Sequence, residues 1–158
     1  MMTKTKWVLG ILLLCLSLIN TVSACPDWQA APHFGTIDLG AGFQPDPFVR
    51  SLTAGGTINL RHCFQQQNWS GYVTTRPDLD LRWHGNSRRL TIAVESNADT
   101  VLLINSPDGR WHYNDDHRGL NPAIIFYNPQ AGLYDIWIGS YDGSRRNPAR
   151  LVITEYDY

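Results

Sequence analysis

Apolar and polar residues alternate with a period of two through much of the chain after residue 78. Leu79, Leu81 and Trp83 share one phase, and Leu90, Ile92 and Val94 repeat it in the next run. Tyr134, Ile136 and Ile138 alternate with Asp135, Trp137 and Gly139, and Leu151 and Ile153 close the series. A pleated strand sends successive side chains to opposite faces, so this pattern predicts strands with one face packed. Thr100–Asn105, Ala123–Tyr127 and Leu133–Ser140 are the three strongest β-type runs.

Turn chemistry punctuates these runs. Pro45-Asp46-Pro47 breaks the chain before a strand over Phe48–Thr53, and Ala54-Gly55-Gly56 reads as a hairpin turn into Thr57–Phe64. Gln65–Asn68 is a polar loop, Gly71–Thr75 a further strand, and Arg76-Pro77-Asp78 and His84–Ser87 are turns. Pro107-Asp108-Gly109 and the polar Asn114-Asp115-Asp116 separate the first two strong runs. No apolar stripe at helical spacing is long enough for a substantial helix. The pattern predicts an all-β protein, an antiparallel β-sandwich of eight or nine strands in two sheets.

The N-terminus has a different character. Lys4 and Lys6 precede an apolar run from Trp7 to Ile19, and a short polar stretch ends Val22-Ser23-Ala24. That run is too short to cross a bilayer comfortably, and small residues stand where a signal peptidase cuts, so residues 1–24 read as a secretory signal peptide. Residues 25–158 then form a single domain, with 25–42 a loop-rich N-terminal strap. The expected location is exported, periplasmic or secreted.

Both lysines leave with the leader, and 11 arginines remain against 14 acidic residues. No basic field is present for nucleic acid, and no second apolar stretch forms a membrane span. Cys15 lies in the leader, so Cys25 and Cys63 are the cysteines of the exported chain. In an oxidising compartment two such cysteines pair. The rival reading takes Val22-Ser23-Ala24-Cys25 as a lipobox with a lipid anchor on Cys25. The polar Asn20-Thr21 spacer and the available partner favour the disulfide.

From Asp99 onward the chain resembles a bacterial pre-peptidase C-terminal (PPC) domain. Ala98-Asp99-Thr100 leads into Val101-Leu102-Leu103-Ile104, followed in order by Pro107-Asp108-Gly109, Asn114-Asp115-Asp116 and Gly132-x-Tyr134-x-Ile136-x-Ile138. The resemblance covers Leu79 to Glu155. It implies a jelly-roll-like sandwich and a non-catalytic role beside secreted peptidases, and some related collagenase domains bind calcium and extracellular polymers.

Two sets of side chains are candidate sites. Asp99, Asp108, Asn114, Asp115, Asp116 and Asn121 supply the hard oxygen ligands that Ca2+ needs, the one cofactor candidate, although the same residue types also brace tight turns. Trp111, Tyr113, Trp137 and Tyr141 form an aromatic set. An outward Trp137 would stack on a sugar ring or anchor a protein partner, whereas an inward one is core. His112 and His117 bracket Asn114-Asp115-Asp116 without a fixed metal-binding spacing, and the Arg88-Arg89 and Arg145-Arg146 pairs read as solvated loop surface. No Gly-x-Ser-x-Gly nucleophile turn is present, and no base is assignable to Ser140 or Ser144. The expectation is therefore an exported, non-enzymatic binding module that recognises a carbohydrate or a protein. The alternatives are an accessory envelope protein that binds another exported protein and, behind it, a small hydrolase.

Overall fold

A computed structural model describes residues 25–143 and 145–158. The signal-peptide reading of residues 1–24 lies outside the described residues. Among the described residues eleven strands, rather than the expected eight or nine, build two sheets that face each other as a sandwich. The larger sheet contains β1 (Thr36–Gly40), β3 (Ile58–Asn59), β4 (Tyr72–Val73), β5 (Leu79–His84), β7 (Thr100–Asn105), β8 (Trp111–Asn114) and β10 (Gly132–Ser140). The smaller has the order β2 (Phe48–Ala54), β11 (Asn147–Thr154), β6 (Arg89–Glu95) and β9 (Ala123–Tyr127). Pairing is antiparallel throughout except that β1 runs parallel to β5. Among the described residues no helix is long and apolar enough to cross a membrane.

The predicted alternation fills the space between the sheets. Leu79, Leu81, Trp83, Leu102, Ile104, Tyr134, Ile136 and Ile138 meet Leu90, Ile92, Val94, Leu151 and Ile153 there, all buried. Removing apolar area from water is worth about 25 cal/mol per Å², so this layer contributes most to holding the two sheets together.

Strand β10 lies at the centre of the larger sheet. One edge pairs with β7 from Asp135 to Ser140, and the other pairs with β5 from Gly132 to Ile136. Beyond Ile136 that second edge is completed without a regular strand. The Ile138 N–H donates to Asp78 Oδ2 at 2.7 Å, the Asp78 N–H donates to the Ile136 carbonyl, and the Gly55 N–H donates to the Ile138 carbonyl. A buried backbone group left without a partner costs about 1–3 kcal/mol, so the Asp78 carboxyl fills a gap in the ladder.

The structure departs from the sequence reading between residues 57 and 75. In place of a strand over Thr57–Phe64, two residues of β3 lead into a single helical turn, α1 (Leu60–Cys63). The Asn59 side chain accepts from the Arg61 N–H and starts that turn. The turn directs Cys63 toward Cys25, and the two form the expected disulfide. Cys25 is thereby committed to sulfur–sulfur bonding, and the lipid-anchor alternative is corrected. Gly56 packs so tightly on β4 that a Cβ would fall 2.0 Å from the Val73 carbonyl oxygen, so no larger residue fits there.

Segment 58–73 also covers half of the outer face of the larger sheet. Ile58, Leu60 and Val73 pack on Val101, Leu103 and Trp137 in a second core, with Cys63, Phe64, Trp69, Trp111 and Tyr113 around them. Trp137 is fully buried here. The outward sugar-stacking or partner-anchoring role considered for it is thereby corrected. Its alternate phase points away from the first core, and a second core covers that side. Trp137→Ala should lower stability by about 3–5 kcal/mol, typical for deletion of a large buried aromatic, as read from urea midpoints. Replacing both Cys25 and Cys63 with Ala should cost up to about 4 kcal/mol in the same assay, on the chain-entropy account of a 38-residue loop.

Candidate functional site

The β7–β8 hairpin tip, Ser106 to Arg110, forms a shared wall for three concavities. One, of about 450 Å³, is lined by Trp28, Asn105, Pro107, Trp111, Leu133 and Asp135 among others. A second, of about 700 Å³, opens between Trp111, Trp69 and the Gln65–Gln67 loop. A third, of about 410 Å³, lies between the tip and the Ile125–Gln130 segment. Exposed Trp28 and Leu133 stand at the first of these grooves.

The tip is braced internally. Ser106 Oγ donates to Asp108 Oδ1 at 2.6 Å, and the Arg110 N–H reaches the same oxygen. Asp108 Oδ2 faces Arg110 Nε at 3.2 Å. The Ser106 hydrogen bond is the main reason the Asp108 carboxyl lies below its ordinary range. Ser106 Oγ also lies 2.8 Å from His112 Nε2. Although a serine, a histidine and an aspartate meet here, the order is wrong for nucleophilic catalysis. A hydroxyl has one hydrogen, and the ionised Asp108 takes it, so His112 must donate from Nε2 to Ser106. A catalytic histidine would instead accept the serine proton and be oriented by the carboxylate. Burial pushes the His112 pKa down, which keeps the ring neutral, and the ring packs edge-on to Phe126.

The floor of the first groove is electrostatically unusual. Asp135 on β10 and Asp80 on β5 are directly opposed partners, 3% and 7% exposed. Both project from the outer face, in a row running Thr36, Asp80, Asp135, Asn105, Trp111 across five strands. Two buried carboxyls opposed in this way disfavour a second negative charge, so the pair holds a proton in common. Burial, followed by the Asp80 charge, pushes the Asp135 pKa up to about 7. Burial also raises Asp80, against the pull of its hydrogen bonds with Asp135 and Thr36 and of the Arg82 charge. Asp135 lines the groove, and Asp80 lies on the far side of β10 from it.

The six candidate calcium ligands do not form one site. Strand β8 puts about 13 Å of extended chain between Asp108 at the hairpin tip and Asn114 at the other end. Asn114 Oδ1 accepts from the Ala123 N–H, which ties β8 to β9, and Asn121 Oδ1 accepts from the Ser96 N–H, which ties the loop before β9 to the loop after β6. Asp99, Asp115 and Asp116 do approach one another together with Asp142. Burial first, and then these three charges, raise the Asp99 pKa. Among the described residues no group of three or more His, Cys, Asp or Glu is arranged to hold a metal ion.

The aromatic set also divides. Trp111 packs on Trp137 and Phe64 with its remaining surface on the first two grooves. Tyr113 stacks on Trp69, and its hydroxyl donates to the Ser70 carbonyl, so it serves the second core. Tyr141 is exposed beside Arg61 and Ser70, at a separate surface. Trp28, Asp80 and Asp135 are the residues that sequence reasoning passed over. The available signal was a tryptophan three residues after Cys25 and an acid in the middle of the most apolar strand.

Fold and site together define a disulfide-bonded β-sandwich with an aromatic-walled groove floored by Asp135, one member of a buried carboxyl pair. No protein-family model and no curated protein matches the chain. Among solved structures it is similar to Aeromonas hydrophila PliG, a periplasmic lysozyme inhibitor of g-type lysozyme. The two are 8% identical over 75% of this chain and 96% of that one, with a TM-score of 0.39.

The raised carboxyls predict a pH dependence. Asp135 and the buried Asp78 both lie near 7 in the fold, each chiefly through burial, against 3.8 in the unfolded chain. Their stabilising contribution is complete below about pH 4 and is lost as pH rises through 7. Asp108, lowered instead, is ionised at both ends of the interval from pH 5 to 8. His112 and His33, lowered chiefly by burial, oppose the trend and offset part of it, because the unfolded chain binds their protons at pH 5. The melting temperature should fall by several degrees from pH 5 to pH 8, and Asp135→Asn should remove part of that fall and raise the pH 8 value.

Proposed function

We propose that the protein is an exported, non-catalytic module that docks another exported protein through the β7–β8 hairpin end of the sandwich. The observation that carries this reading is the groove beside the tip, where exposed Trp28 and Leu133 flank half-buried Trp111 over a polar floor. Large aromatic and aliphatic side chains around a concavity are typical anchors of protein recognition. The leader-like N-terminus and the Cys25–Cys63 bridge support export. Two features favour binding over catalysis. The Ser106 proton is directed to Asp108 and away from His112, and only one member of the carboxyl pair lines the groove.

The test is photo-crosslinking in the native cell envelope with a photoreactive residue introduced at Leu133. A specific adduct should form there and should be weakened at least tenfold by Trp28→Asp. A label at Val49, exposed on β2 of the other sheet, should give no such adduct. Equal crosslinking from both positions, or turnover of an envelope substrate by the purified protein, would reject the proposal.

A further inference from the structure

The groove that Asp135 floors offers a specific chemistry. Its lining includes two indoles, Trp28 and Trp111, the Asn105 amide and one carboxyl group. Among the described residues that line it, none is cationic. The Asn105 Nδ2 spends one of its two hydrogens on the Gly109 carbonyl, and the amide oxygen is free to accept. Asp135 is only 3% exposed, and its Oδ1 receives no hydrogen bond from any donor among the described residues. A buried carboxyl without a donor is costly, and the proton shared with Asp80 only partly relieves it. The Arg82 charge acts on Asp80, the other member of the pair.

Although the Gln130 amide also lines the groove and can donate, a buried carboxyl that lacks a donor, set between aromatic walls, suits a cation. A guanidinium or ammonium group would ion-pair with the carboxylate, supply the missing donors and lie against the indole faces. A neutral sugar would find acceptors but would not offset the negative charge. Resting on the docking role proposed above, we infer that this groove receives a basic side chain, arginine or lysine, of the protein partner, paired with Asp135. Entry of the cation would expel the proton held between Asp80 and Asp135 to solvent, so one positive charge enters as one proton leaves.

The experiment titrates the whole exported chain, residues 25–158, with Nα-acetyl-arginine amide and Nα-acetyl-lysine amide, following the indole N–H resonances of Trp28 and Trp111 by NMR. The neutral isostere Nα-acetyl-citrulline amide and chitotriose are the controls. Millimolar binding of a cationic probe is expected, at least tenfold tighter than citrulline, with shifts confined to these two indoles. Asp135→Asn, which preserves shape and removes the charge repulsion with Asp80, should weaken binding at least tenfold. Trp28→Ala, at an exposed position, should also weaken it. Calorimetry at pH 6.5 in buffers of different ionisation enthalpy should register proton release for the wild type and none for Asp135→Asn.

Equal affinity for citrulline, binding of chitotriose instead, or affinity unchanged in Asp135→Asn would each overturn the inference. If the Leu133 crosslink persists while the cationic probes fail, the docking role stands and the basic-anchor inference falls. If both fail, both are rejected.

Discussion

Strand β10 is shared by both cores and holds the larger sheet in register. Its inner face contributes Tyr134, Ile136 and Ile138 to the core between the sheets, and its outer face contributes Trp137 to the second core. Both edges are hydrogen-bonded, one to β7 and the other in turn to β5, the Asp78 carboxyl, Gly55 and β4. A strand used on two faces and two edges has little freedom to slip. A shift of one residue would exchange Ile136 for Trp137 on every surface and expose the core. That fixed register is what brings Asp135 opposite Asp80 and beside Asn105.

The outer face of the larger sheet has two characters as a result. Toward the C-terminal half of β10 it is apolar and covered by α1 and its flanking loop, tied down by Cys25–Cys63. Toward the N-terminal half it is polar, and Trp28 of the strap stands over it. The groove arises where the covering segment stops. Stability and the proposed recognition therefore draw on neighbouring residues of one strand. Trp137 secures the fold, while Asp135, two positions away, carries an electrostatic cost that the fold alone leaves only partly relieved. A costly buried acid held in a rigid strand beside tryptophans is the pre-organised feature on which the proposed cationic anchor rests.

Much of the architecture was legible in the chain. The period of two in Leu79–Trp83, Leu90–Val94 and Tyr134–Ile138 identified both the strands and the side facing the core, because the pleat allows no other arrangement. The cysteine pair was legible from compartment and number. Helix α1 was missed because Thr57–Phe64 also reads as a strand, and the Asn59 cap that starts the turn looks like any polar strand residue. Strand β8 was missed because Trp111–Asn114 has no apolar alternation, and its outer positions are read only against β7. The calcium and aromatic sets were assembled from proximity along the chain, and β8 separates Asp108 from Asn114 while burying Tyr113 against Trp69.

The class of fold, the side each strand residue takes and a preference for pairing Cys25 with Cys63 all follow from local periodicity and composition. Which polar residues meet is set by the assembled sheets. Asp80 and Asp135 belong to strands far apart in the chain, and their opposition follows from a register set by the whole sandwich. Trp28 reaches the same groove because a disulfide and a one-turn helix place the strap there. A period of two says which way a side chain points, and the assembled sheet alone says what it points at.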